Sequence, residues 1–444
     1  MLASSIDQQG SKNMTENIAQ EPKKTTGNPW LFVPSLFFLE GIPYFIVSTV
    51  SVTMFKRMGI SNAEIGLWTS LITWPWIIKM LWGPLVESTS TKRKWIIGTQ
   101  ILGVLAMIGV SQTITMENFL TPTLVVLTIL AFLSATHDIA ADGFYLLALS
   151  PEDQAYFVGI RGTAYRLANV FCNGGLIYLA GTFESAPGAI IPLAWRNVLI
   201  IAALIYLFFV VLGYKAMPKP RQDADKQESF PFKAAFTEYF SQAKLPLILG
   251  FILLYRFGES MVSKMSNPFL IDAIEKGGMG MTTSEVGFIT GVVGVVSLTL
   301  GGIIGGMVIS RFGIKRSLWP MVLAMNVPNL MYIWAATVQP GKTWVTLIVG
   351  CDQFGYGFGF AAYMVYLMFI TQGTKYPTAH YAISTGLMAL GAMTAGITSG
   401  YVQQYTGYVG FFIATLVLAM PGIILLPFLP LEKEDLHIAP VDID

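Results

Sequence analysis

The sequence predicts an all-α membrane protein with twelve transmembrane helices arranged as two six-helix pseudo-repeats. Three observations predict it: an apolar excess too large for a soluble surface, a succession of hydrophobic segments of membrane-crossing length, and a phrase that recurs once in each half. Of 444 residues, 54% are hydrophobic and 12% charged, whereas soluble domains carry roughly 25% charge. Mean hydropathy is +0.60. Soluble, disordered and disulfide-rich classes are thereby excluded. The 27 basic and 26 acidic residues leave a formal charge of +1, which offers no electrostatic footprint for nucleic acid. Cys172 and Cys351 both lie in apolar runs, so neither a disulfide framework nor a cysteine metal site is expected.

A hydrocarbon layer about 30 Å thick needs about 20 mostly apolar residues per crossing. The crossing is helical because backbone facing lipid has no water to satisfy it. Such segments run over 30–55, 62–87, 94–112, 119–149, 155–181, 193–215, 245–272, 283–310, 316–338, 342–372, 378–404 and 407–430. The connections are short except for a polar stretch from about 216 to 243, which includes Lys219-Pro220-Arg221 and Lys233. The predicted organisation is therefore a tail (1–28), a six-helix bundle (29–215), a linker (216–243), a second bundle (244–430) and a tail (431–444). The first tail is polar and lacks the basic start and short apolar run of a signal peptide. Lys92, Arg93, Lys94, Lys215, Lys219, Arg311, Lys315, Arg316 and Lys375 fall on the same side as the two tails, against Lys56, Arg57, Arg196, Lys276 and Lys342 on the other. Because cytoplasmic loops collect Lys and Arg, this bias predicts both termini in the cytoplasm.

The repeat is visible where the second span opens with Ser61-Asn62-Ala63-Glu64-Ile65-Gly66 and the eighth with Thr282-Thr283-Ser284-Glu285-Val286-Gly287. Gly83 before Lys92-Arg93 and Gly306 before Lys315-Arg316 recur at the same offset. Paired bundles suit secondary transporters, which rock two similar bodies about a midplane site. Glu64 and Glu285 themselves read as capping-box carboxylates at helix starts. The spacings Gly301/Gly305 and Gly302/Gly306 read as close helix packing.

Ionisable residues inside such spans carry the functional signal, since each costs about 2.5–3.5 kcal/mol at the bilayer centre. Glu40, Asp138, Asp142, Glu259 and Asp352 lie on spans one, four, seven and ten, and Lys79, Arg161, Arg166, Arg256 and Lys264 accompany them. All are expected to face inward. Asp138 and Asp142 are four apart and share a helix face that Tyr145 continues. Two like charges that close resist joint ionisation, which suits a proton site. Arg256 and Glu259 also share a face and are expected to neutralise each other. Arg161 and Arg166 point in different directions, so one is free for a substrate while the other meets span four. His137 reads as a neutral packed histidine. Tyr44, Trp74, Trp76, Tyr165, Asn169, Asn173, Asn267, Gln353, Tyr356, Tyr363 and Tyr366 add aromatic faces and amides suited to a sugar or another polar ligand with apolar faces.

Other chemistries lack their residues. Gly341-Lys342-Thr343 mimics the end of a phosphate loop, but Ala336 stands where a Gly is required. Three histidines and two scattered cysteines give no zinc or haem spacing. No cofactor is expected, and an ion gradient or the substrate's own gradient is left as the driving force.

Gly83-Pro84-Leu85-Val86-Glu87 leading to Lys92-Arg93, with its second copy from Gly306 to Arg316, resembles the loop motif of the major facilitator superfamily. Glu87 replaces the usual Asp, and Ser310 stands there in the second copy. Within that superfamily, three stretches resemble the AmpG-type muropeptide permeases and their acetyl-CoA-transporter-like relatives. They are Trp74-Pro75-Trp76-Ile77-Ile78-Lys79-Met80-Leu81-Trp82-Gly83-Pro84, Ala135-Thr136-His137-Asp138-Ile139-Ala140-Ala141-Asp142-Gly143-Phe144-Tyr145 with Ala164-Tyr165-Arg166, and Ala361-Ala362-Tyr363-Met364-Val365-Tyr366-Leu367-Met368. The resemblance implies the major facilitator fold, a cavity between spans one, four, seven and ten, and proton symport into a bacterium across its inner membrane. Family members commonly have Gln where His137 stands and Gly where Ala164 stands, and their relatives include siderophore permeases.

The expected function is thus proton-coupled import of an amino-sugar or peptidoglycan-derived solute, by a monomer that engages a small molecule, protons and the lipid bilayer but no nucleic acid. A siderophore permease of the same fold is the alternative, and a membrane-embedded enzyme built on His137, Asp138 and Asp142 fits the duplicated halves poorly. Asp138, Asp142 and Glu40 are assigned to proton coupling. Arg161, Arg166, Lys79, Tyr165, Asn169, Arg256, Glu259, Asp352, Gln353 and Tyr363 are assigned to the substrate.

Overall fold

The computed structural model describes residues 27–219 and 232–431. Most of both predicted tails and the middle of the predicted linker, including Pro220 and Arg221, lie outside the described residues, as does the side chain of Glu87 in the loop motif. Every regular element among the described residues is a helix, and each predicted span is helical. Eight stretches are long and apolar enough to cross a membrane on length and composition. The others have physical reasons to fall short. Span two breaks into Asn62–Leu71, Trp74–Ile78, Lys79–Leu81 and Gly83–Thr89, with Pro75 restarting the chain after a turn at Ile72 and Thr73. Span five, Pro151–Asn169 continued to Glu184, carries Glu152, Asp153, Arg161 and Arg166. Span ten, Lys342–Phe369, is rich in glycine and carries Asp352 and Gln353. Spans eleven and twelve form one run, Pro377–Leu425, broken at Gly407, whose φ of 68° and ψ of 180° suit only glycine.

Local chemistry sets the helix starts. Asn28 Oδ1 accepts from the Trp30 amide at 3.0 Å and Pro29 opens the first helix. The repeated phrase is a repeated cap. Glu285 accepts from the Thr282 amide at 2.9 Å while Thr282 Oγ1 accepts from the Glu285 amide at 3.3 Å. In the first copy Ser61 Oγ accepts from the Glu64 amide at 3.3 Å and donates to the Glu64 carboxylate at 2.7 Å. Single π-helical segments interrupt spans one, five and eight at Ile46–Val50, Val170–Leu176 and Gly287–Gly294.

The spans before the linker bury Phe55, Met107, Trp195 and Tyr206 in one core. Those after it bury Phe269, Tyr332 and Phe412 in a second core and Phe251, Tyr255, Tyr363 and Tyr366 in a third. Of the two small-residue spacings on span eight, only Gly301/Gly305 is tightly packed at both positions; Gly302 makes an ordinary contact with the Gly357 carbonyl of span ten. A side chain on Gly301 would strike the Phe354 carbonyl of span ten, and one on Gly305 would meet Ala361 and the Phe358 carbonyl at 2.9 Å. Gly306 faces open space. Gly301→Leu is therefore expected to cost about 1–3 kcal/mol or more by overpacking, whereas Gly306→Leu should stay within about 0.5 kcal/mol. Thermal unfolding of both purified variants in detergent checks the pair, and equal losses would refute the assigned contact face.

Candidate functional site

Span one brings Glu40, and span four brings Asp138 and Asp142, to one place, where their carboxylate oxygens lie within 4.8 Å of one another. Lys79, at the turn in span two, forms an ion pair with Asp138. Arg161 of span five forms one with Asp142. The Arg161 guanidinium also sits over the rings of Phe37, at 4.2 Å, and Tyr145, at 5.6 Å, so aromatic faces fix it as well as the carboxylate. Glu40 is 8% exposed, and its Oε2 has no hydrogen-bond partner. Three carboxylates against two paired cations leave a formal charge of minus one on the cluster. The oxygens are close enough to chelate a cation, but Lys79 and Arg161 already serve two of the three acids. Asp142 and Arg161 are 45% and 32% exposed, while Asp138 is 16% exposed. Lys79 is 35% exposed, so the cluster is partly open on both its ion pairs, most of all at Asp142.

Beside it stands an aromatic wall. Tyr44 meets Trp76 edge-on with centroids 5.1 Å apart, and Tyr165 lies 5.2 Å from Phe45 and 6.4 Å from Tyr44. Asn169 and Asn173 bond to each other where span five turns π-helical. After the linker, Arg256 donates from Nε and Nη2 to Glu259 Oε2 at 3.0 and 2.8 Å, as their spacing predicts. Its guanidinium lies 4.6 Å from the Tyr356 ring and 4.8 Å from that of Phe360. Asp352 Oδ2 accepts from Gln353 Nε2 at 3.1 Å and from the Tyr332 hydroxyl at 3.4 Å.

Three predicted residues fall elsewhere. Arg166 is exposed on span five, away from the carboxylate cluster that Arg161 joins. Lys264 Nζ meets no acid but the Thr69 hydroxyl and carbonyl of span two, at 3.2 and 3.5 Å. Tyr363 is fully buried, donates to the Ile252 carbonyl at 2.5 Å and stacks on Tyr255. It shares a helix face with Tyr356, but seven residues put it about 10 Å further along the axis, inside the packed core. His137 is buried with Nε2 3.0 Å from the Gln100 amide of span three, a packed histidine as expected.

Sequence reasoning missed a polar seam joining the two sets of spans at one end. Lys56 Nζ of span one lies 2.6 Å from Asp272 Oδ1, after span seven. Asp272 Oδ2 also accepts from Tyr408 at 2.6 Å and from Asn62 at 3.2 Å, and Asn62 reaches Gln403 at 2.7 Å. Glu184 takes Arg57 and Trp195 from its own side and Thr283 from the other, at 2.9, 2.8 and 2.6 Å. Asn267 donates to Thr53 at 2.8 Å. Two glycine contacts flank this seam, Gly66 against Gly400 and Gly174 against Gly291: a Cβ on Gly66, Gly400 or Gly291 would strike backbone across the join, whereas one on Gly174 would make only ordinary contact. The available signal was the small set of charges among the loops at this end, read only for orientation.

Paired charges carried inside two sets of membrane-length helices that meet closely at one end are what a multi-pass membrane transporter requires. The chain belongs to the Major Facilitator Superfamily, whose model matches residues 35–389. It is 28% identical over 418 residues to an "uncharacterized protein" of Haemophilus influenzae, covering 90% of this chain and 94% of that one. It is 25% identical to "putative transporter AmpG 4" of Rickettsia felis, covering 89% and 94%. To the "anhydromuropeptide permease" of Escherichia coli it is 24% identical, covering 88% of this chain and 77% of that one. Among solved structures, a D-xylose–proton symporter superposes with a TM-score of 0.70 at 14% identity, covering 92% and 97% of the two chains. A variant of the nucleoside transporter NupG gives 0.66 at 16%, covering 90% and 98%. These likenesses show the fold.

The seam offers a direct test. Lys56 and Asp272 side chains are 12% and 10% exposed, so removing one partner strands a buried charge at a cost of about 3–5 kcal/mol. Lys56→Met and Asp272→Asn combined should recover about 1–3 kcal/mol relative to the sum of the single losses. Equilibrium unfolding of the four proteins in mixed micelles gives the coupling, and a value near zero would mean that the two do not act as a pair.

Proposed function

We propose that this transporter is a proton-coupled symporter that imports an amino-sugar or peptidoglycan-derived solute, such as a muropeptide, across a bacterial inner membrane. The observation that carries the coupling is the net charge of the Glu40–Asp138–Asp142 cluster. Its two cations leave one negative charge, and the acid without a cation, Glu40, is the buried member, where an unbalanced ion is costly. One proton restores neutrality. Asp138 and Asp142 are held by Lys79 and Arg161, so the proton resides among the three acids with Glu40 as the member that lacks a cation. Loading this proton lets the cluster pass through the occluded state, and its release on the far side resets the cycle.

The names of the Rickettsia and Escherichia relatives support the cargo class, as do the aromatic wall and the amides. The apolar faces of a sugar ring suit Tyr44, Trp76 and Tyr165, its hydroxyl and amide groups suit Asn169 and Gln353, and an acidic substituent suits Arg256, held in place by Glu259, or Arg161 with Lys79. Asp352 and Tyr363, 3% and 0% exposed, are not assigned to cargo. In this reading residues 29–215 and 244–430 rock as two bodies within a monomer, both termini are cytoplasmic, and the seam at Lys56 and Asp272 closes the outer side. No bond in the cargo changes, so the protein acts as a transporter and not as an enzyme.

Uptake of labelled anhydromuropeptide into proteoliposomes tests this. An imposed difference of one pH unit, acid outside, is worth about 1.4 kcal/mol per proton and should raise accumulation up to about tenfold. Asp138→Asn/Asp142→Asn should abolish that gain. Normal pH-driven accumulation by this variant would remove the coupling role, and displacement of the label by a ferric siderophore at lower concentration would move the cargo to that class.

A further inference from the structure

A second carboxyl group stands apart from the cluster and has a different environment. Asp352, on span ten, is 3% exposed. Unlike Asp138, Asp142 and Glu259, it meets no cation in any ion pair found among the described residues. Its hydrogen-bond partners are neutral: the Gln353 amide at 3.1 Å and the Tyr332 hydroxyl at 3.4 Å. The Tyr332 hydroxyl lies in turn 3.4 Å from Ser266 Oγ on span seven. Three residues before Tyr332, on the same face of span nine, Asn329 is fully buried with both amide atoms unpartnered. Buried polar atoms left unpaired point to a bound water or ion. The interior around Asp352 is thus polar, and no ion pair compensates its charge among the described residues.

The neighbours that could supply one do not. On span seven Arg256 and Glu259 pair with each other, Lys264 Nζ is taken up by the Thr69 hydroxyl and carbonyl of span two, and Glu259 acts on Asp352 with the same sign. Span nine brings only Tyr332. Span eight offers Arg311 at its far end and the helix Ile314–Asn326 offers Lys315 and Arg316 in its first turn. The run Pro377–Leu425 offers His380 near its start, whose Nε2 is 3.1 Å from the Ala235 carbonyl. On span ten itself the other titratable groups are Lys342, Cys351, Tyr356, Tyr363 and Tyr366.

We infer that Asp352 is a second proton-binding site, independent of the Glu40–Asp138–Asp142 cluster, in which the carboxyl group takes up a proton to become a neutral acid and the Tyr332–Ser266 hydroxyls connect it toward span seven. A carboxylate sealed from water without a cation is costly, and protonation is the least disruptive way to remove the charge. The step forms one O–H bond on Asp352 and breaks none in the protein: the proton arrives from water and returns to water. Its use as a coupling site rests on the proton-symport reading above, which would then move two protons per cycle, whereas the site's existence does not.

Infrared difference spectroscopy of the full-length protein in lipid, titrated in pH and repeated in D2O, reads the C=O stretch of a protonated carboxyl group without any transport. The expected result is a deuterium-sensitive band that disappears in Asp352→Asn and persists in Asp138→Asn/Asp142→Asn. An unchanged band set in Asp352→Asn overturns the site. Should that variant not fold, Tyr332→Phe keeps the acid and removes its hydroxyl neighbour. A band shifted in frequency or pH midpoint supports the site, and an unmoved one counts against it. A chain with no proton-driven uptake would fail the symport reading and still give this result. A chain with such uptake and no Asp352 band fails only this one.

Discussion

Charge inside a lipid-embedded helix bundle must be balanced close by, and most of the functional architecture follows from how this chain meets that requirement. Before the linker, the balance is made between helices: Asp138 of span four with Lys79 of span two, and Asp142 of span four with Arg161 of span five. Glu40 of span one closes the group. Pairs of this kind tie four helices to one place, so a change in protonation there alters how the helices are held. After the linker, Arg256 and Glu259 balance each other within one span, and the Arg256 guanidinium rests on the Tyr356 and Phe360 rings of span ten. The fold is duplicated, but the electrostatics are not.

The join between the two sets of spans obeys a different rule. Beside the seam, glycines allow backbone to meet backbone, Gly174 with Gly291 and Gly66 with Gly400. Such contacts are made of dispersion and hold no charge that must find a new partner when they part. At the loop end the contacts are ionic and amide-based, centred on Asp272 and Glu184. Water can replace those once the seam opens. Large aromatic cores are buried on either side of this join.

Proline and glycine supply the remaining geometry. Pro75 and the turn at Ile72 and Thr73 break span two where Lys79 must turn inward to reach Asp138. Pro43 precedes the π-helical segment of span one, three residues after Glu40. The irregularities of spans one and two thus lie beside the charged cluster, while the π-helical segments of spans five and eight meet each other across the join.

Residue order alone determined the helical membrane class, the positions of the spans, the repeated caps at Ser61 and Thr282, and the pairs Asp138/Asp142 and Arg256/Glu259. Each depends on hydropathy or on neighbours within one helical turn. The same local rules gave Gly301/Gly305 and Gly302/Gly306 equal standing, and put Tyr363 on the face of Tyr356. Only the tertiary structure decided that Gly301 and Gly305 meet span ten, that Arg161 and not Arg166 reaches Asp142, that Asp352 lacks a cation, and that Lys56 finds Asp272 across the seam. Those outcomes are set by which helices become neighbours and at what depth, and a contact between residues some two hundred positions apart leaves no periodic trace in a single sequence.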